Sequence, residues 1–110
     1  MKIRSRFTKE DPVRFISHLD LARTIERAVR RARLPVAYSK GFSPRPKIAF
    51  GSALAVGVTS SAEYVDIEFT EEIPVEEFMN RICDNLPTGI RFREAIEIGP
   101  TIPPLMSVID

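Results

Sequence analysis

The chain has one cysteine, Cys83, and one histidine, His18, in 110 residues. A lone cysteine closes no internal disulfide and builds no Cys-rich zinc or iron–sulfur site. A lone histidine leaves too few ligands for the two- or three-His zinc centres of hydrolases. No apolar run approaches the roughly 18–20 residues that cross a bilayer. The first ten residues, MKIRSRFTKE, lack the apolar core of a signal peptide. P-loop, GxGxxG and GxSxG patterns are missing too. These absences argue against a self-contained metalloenzyme or nucleotide-binding enzyme. They predict no cofactor in this chain, no membrane partner and a cytoplasmic location.

What is present reads as one globular domain. Hydrophobic residues make up 44% and charged residues 28% of the chain, enough for a real core at this length. Charge of one sign is scarce in each part. Residues 1–50 carry thirteen Lys/Arg against four Asp/Glu, a net of +9. Residues 51–110 carry three against eleven, a net of −8, so the overall +1 conceals the division. A basic segment can meet a polyanion, and an acidic one can meet a basic partner or fold back on the first.

The patterning predicts alternating strands and helices. Residues 2–8 alternate, with Ile3, Ser5 and Phe7 on one face and Lys2, Arg4 and Arg6 on the other. A helix begins at the N-cap Ser17, with Asp20 three residues on and Ile16 and Leu21 at staple positions. Its apolar stripe is Leu21, Ile25, Ala28, Val29 and Ala32. Arg23, Arg27, Arg30 and Arg31 lie across from that stripe, Glu26 and Arg30 form an i,i+4 pair, and the helix stops near Leu34, before Pro35. Residues 36–39 read as a short strand. Residues 40–47 hold two prolines and a glycine and make a stiff loop carrying Lys40, Arg45 and Lys47. Residues 48–50 begin another strand, and 51–61 are small and apolar.

Residues 62–70 give the clearest strand, with Val65, Ile67 and Phe69 on one face and Tyr64, Asp66 and Glu68 on the other. A second helix starts with Pro74 as its first residue. Glu76 and Glu77 suit its positive end, and Val75, Phe78, Met79, Ile82 and Leu86 form its stripe. Residues 87–89 end it, and residues 90–98 form the last strand. The Pro-rich tail shows no stop signal, so the native chain is expected to continue beyond Asp110. The order predicts an α+β fold, a ferredoxin-like two-layer sandwich with both helices on one face of an antiparallel sheet. Residues 1–110 would be a single domain, the N-terminal part of a longer chain.

Four segments carry a family resemblance. They are residues 15–20 (FISHLD), the Arg-rich helix after them, residues 34–47 (LPVAYSKGFSPRPK) and residues 55–68 (AVGVTSSAEYVDIE). Together they resemble the radical-SAM-linked bacterial domain of unknown function, over nearly the whole chain. That domain is fused to, or encoded beside, a B12-binding-type radical SAM protein. The resemblance implies a radical SAM protein as partner, which would carry the iron–sulfur cluster. The chain departs from the family pattern at Arg45, where His is expected.

Three functions are open on these residues. The first is a non-catalytic accessory module of a radical SAM system that binds RNA through Arg23, Arg27, Arg30, Arg31, Lys40, Arg45 and Lys47, since Lys and Arg neutralise phosphates. The second is a protein-docking domain using Glu63, Asp66 and Glu68 with the acids that follow them. The third is a metal-free RNA-processing enzyme in which His18, aided by Asp20 and the loop, acts as general base. Two bland readings stand beside these. Lys2, Arg4 and Arg6 pair across strands with the acids of the 62–70 strand, and His18 bonds to nearby backbone. Tyr38, Phe42 and Phe50 interleave with the basic loop and could stack on bases. For Phe42 and Phe50 the favoured expectation is core plugs that anchor the loop. Cys83 is expected to be a small buried hydrophobe.

Overall fold

Alternation of apolar and charged residues builds the centre of the sheet. In the computed structural model, which describes residues 1–11, 16–52 and 63–99, strand β1 (Lys2–Lys9) buries Ile3, Ser5 and Phe7 completely. Lys2, Arg4 and Arg6 project from its other face. β1 pairs antiparallel with β3 (Glu63–Glu68) on one side and with β4 (Ile90–Ile98) on the other. β2 (Ile48–Ser52) adds outside β3, so the sheet order is β2-β3-β1-β4. With helices α1 (His18–Arg31) and α2 (Val75–Cys83), the chain order is β1-α1-β2-β3-α2-β4. The fold is α+β, a four-stranded antiparallel sheet with two helices.

The helices form where their capping and stripes dictate. The Ser17 hydroxyl accepts the Asp20 N–H at 3.2 Å, satisfying one orphan donor of the first turn. Leu21, Ile25, Ala28, Val29 and Ala32 are all buried. The helix ends in a Schellman arrangement, with the Leu34 N–H on the Val29 carbonyl at 3.3 Å and the Arg33 N–H on the Arg30 carbonyl at 3.0 Å. Arg33 occupies the left-handed position at φ 55°, where glycine is usual. In α2, Pro74 is the capping residue rather than the first helical one. Phe78 and Ile82 are buried, and Val75 and Met79 pack partly against the same core; α2 ends at Cys83 rather than at residues 87–89, so Leu86 packs on that core from beyond the helix.

That core joins both helix stripes to Ile3, Phe7, Val65 and Ile67. Rings run through it in sequence: Phe50 to Phe7 at 6.5 Å, Phe7 to Phe92 at 5.7 Å, Phe92 to Phe78 at 6.2 Å and Phe78 to Phe69 at 5.7 Å. Aromatic pairs at these spacings add attraction beyond their buried area.

Two further expectations change. The strand over 36–39 does not form; Val36 and Tyr38 make single bridges, to Phe69 and to Pro46. Pro44 and Pro46 have no N–H to extend a ladder there. The Glu26–Arg30 ion pair is not made among the described residues. The 51–61 segment beyond Ser52 and the tail from Pro100 lie outside the described residues.

Candidate functional site

The cations divide into two groups according to whether an acid reaches them. The first group is on the sheet. Cross-strand register sets Lys2 opposite Glu68, Arg4 opposite Asp66 and Arg6 opposite Tyr64. The Arg4 guanidinium donates two bonds to the Asp66 carboxylate, at 2.8 and 3.0 Å, and both side chains are nearly buried. Arg6 meets Glu94 at 3.3 Å, and Lys9 meets Glu63 at 2.7 Å. Cross-strand pairing therefore neutralises Arg4, Arg6 and Lys9. The same pairs occupy the acids considered for a protein partner: Asp66 is buried under Arg4, Glu63 is held by Lys9, and Glu68 by Lys47 at 3.3 Å. Asp66 is nearly buried with each oxygen already bonded to Arg4, which leaves a partner little access to it.

The second group is on α1 and the loop that follows. Arg23, Arg27, Arg30, Arg31, Lys40 and Arg45 are exposed and have no ion pair among the described residues. Lys47 is the one nominated cation that does. Helix geometry separates them. Arg27 and Arg31 line a hollow toward the end of α2, beside Asp84 and Asn85. Arg30, about 60° around the helix from Arg27, lines a different hollow of about 290 Å³ with Tyr38, Ser43 and Arg45. A neighbouring hollow of about 280 Å³ runs on between His18, Ala22 and the β2 residues Ile48 and Phe50. The two share Glu26, Arg45 and Pro46 and make one groove along α1. His18, Ala22, Glu26 and Arg30 follow at i, i+4 spacing, so the groove's helical wall is about 18 Å long. Arg45 also reaches a third hollow, on the sheet face, with Lys2, Lys47, Asp66 and Glu68.

Backbone bonds fix the position of Arg45. The Ser39 N–H donates to the Arg45 carbonyl at 2.8 Å, and the Arg45 N–H donates to the Ser39 hydroxyl at 3.0 Å. Between these clasps Gly41 takes φ 131°, a conformation that suits a residue without a side chain. The loop tip carries Phe42, fully exposed, and Tyr38 at its base is 47% exposed. Phe50 packs partly into the core as expected of a plug, whereas Phe42 does not. The five-residue span between the clasps is too short, and too constrained by Pro44, to fold its ring back onto the domain.

His18 is the first residue of α1 and is exposed. Its ring meets Phe50 edge-on at 5.3 Å, and it makes no hydrogen bond or ion pair among the described residues. Asp20 is two residues away and turns to another face, so it is no orienting partner. Cys83 is exposed rather than buried. Partial desolvation, and then the Asp84 carboxylate, push its thiol pKa up, which keeps it a weak nucleophile. Among the described residues no group of three or more His, Cys, Asp or Glu could hold a metal ion, and no helix is long and apolar enough to cross a membrane.

Fold and groove together define a small α+β module with a neutralised sheet face and a cationic flank beside an edge strand. The chain belongs to the DUF2344 family, described as an uncharacterized protein conserved in bacteria, which matches residues 2–110. No curated protein and no solved structure matches it.

Proposed function

We propose that this module is a non-catalytic accessory domain of a bacterial, cytoplasmic radical SAM modification system and that it binds RNA along the α1 groove. One observation carries the RNA reading: among the described residues the exposed Arg23, Arg27, Arg30, Arg31, Lys40 and Arg45 of α1 and the loop make no ion pair, while Arg4, Arg6 and Lys9 of the sheet do. Unpaired Arg and Lys are free to exchange counterions for phosphates. Arg30 and Arg45 line the same hollow of that groove, so one RNA backbone could meet both. The radical SAM association rests on the resemblance of residues 15–20, 34–47 and 55–68. On the chain order and the sheet order, we read the fold as a ferredoxin-like sandwich.

The alternatives draw less support. Docking through Glu63, Asp66 and Glu68 would first have to break their existing pairs. For RNA cleavage by His18, no group among the described residues orients the imidazole.

The test is fluorescence anisotropy of a labelled RNA across a salt series. Arg30→Gln/Arg45→Gln should weaken binding about tenfold or more and flatten the slope of log affinity against log salt by roughly 1.4. Absence of binding at low salt, or an unchanged slope in the double variant, would overturn the reading.

A further inference from the structure

The loop clasped between Ser39 and Arg45 has the form of a presenter, and what it presents is a ring. Phe42 is fully exposed at its tip. A phenyl ring left in water forgoes its whole hydrophobic gain. The loop's rigidity adds to the significance of that position. Two bonds join Ser39 to Arg45, Tyr38 bridges Pro46, and Pro44 restricts the approach to the clasp. A ring held out by such a loop loses little freedom when it meets a ligand. The same loop carries Lys40 and Arg45, and Arg45 lines a hollow with Arg30 and another exposed ring, Tyr38; none of the three cations makes an ion pair among the described residues.

We infer that this loop is a stacking finger and that the RNA in the groove is single-stranded, with Phe42 and Tyr38 against unpaired bases and the three cations on the intervening phosphates. The inference rests on the RNA-binding reading above and adds the class of RNA. Alternating rings and cations suit a strand whose bases are splayed from its backbone. A duplex keeps its bases stacked within the helix, and its deep, narrow major groove shuts out side chains. It would meet the cations and leave Phe42 in water.

The experiment compares one single-stranded oligonucleotide with the same strand annealed to its complement. Binding is followed by anisotropy for wild type, Phe42→Ala, and Tyr38→Ala with Phe42→Ala. Circular dichroism checks that the variants fold. Wild type should prefer the single strand. Phe42→Ala should lose about 5- to 150-fold on it, the range expected for one stacked base, with the duplex affinity and the salt slope unchanged. The chain has no tryptophan, so Phe42→Trp introduces a unique fluorophore whose emission a stacked base should quench. Equal affinity for both forms, or an unaltered Phe42→Ala, would overturn the inference while leaving RNA binding intact. Failure of wild type to bind either form would overturn both. Emission unmoved by RNA but shifted by the radical SAM protein would assign the ring to a protein contact and overturn the inference as well.

Discussion

At the residue scale the decisive contrast is between Arg4 and Arg45. Both are arginines in the basic half, yet Arg4 sits across from Asp66 in a nearly buried bidentate pair and Arg45 makes no ion pair among the described residues. A pair of this kind contributes little over an apolar isostere, but removing one partner strands the other's charge in low dielectric. Arg4→Met should therefore destabilise the domain by about 3–5 kcal/mol, while Arg4→Met combined with Asp66→Leu should restore most of that loss. Urea titration of the single and double variants checks it; equal losses would mean that Asp66 is solvated without Arg4. Ser5 is the complementary case. Its hydroxyl is fully buried on the core face and has no partner among the described residues. Alternation put Ser5 on the inner face correctly, but pattern alone does not report whether a polar atom finds a partner there.

At the element scale, contacts distant in sequence complete what local signals begin. The end of α1 was legible from Pro35, and its N-cap from Ser17. The means by which its last carbonyls are satisfied was not. Arg81 of α2 donates to the Ala32 carbonyl through Nε at 3.0 Å and through Nη2 at 2.7 Å, and to the Arg33 carbonyl at 2.6 Å. Forty-nine residues separate Arg81 from Ala32, a distance in sequence over which periodicity carries no information. The arrangement sets a cation at the negative end of the helix dipole and ties the two helices together. Arg81→Met should cost about 1–2 kcal/mol, with Arg81→Lys recovering only part because a single ammonium nitrogen cannot reproduce the three bonds made by separate Nε and Nη2 donors. Thermal melts of the three proteins measure it, and full recovery by lysine would reduce the role to point charge. The loop at 39–45 was legible as stiff, from its prolines and glycine. Its projection of Phe42 was not, because hydrophobicity alone predicts burial.

At the scale of the whole molecule, the groove and the core share one structural member. Phe50 lines the groove beneath His18 on one side and meets Phe7 on the other, and Phe7 leads through Phe92 and Phe78 to the far end of the core. The binding flank is thus built on the same packed body that fixes the sheet beneath α1 and α2. Phe7 is the ring common to the groove side and the α2 side, and it is completely buried on the central strand. Phe7→Ala should destabilise by about 3–5 kcal/mol, a large share of the stability of a domain this size. Because both helices pack on one continuous cluster, the loss should appear as a lower urea midpoint with unchanged slope. Far-UV circular dichroism and methyl NMR should report coincident transitions. If instead the signals of α2 persist after those of α1 and the groove have gone, the ring chain does not couple the two sides. The groove would then be a separately unfolding unit, and its RNA affinity would fall in variants that leave the rest of the domain folded.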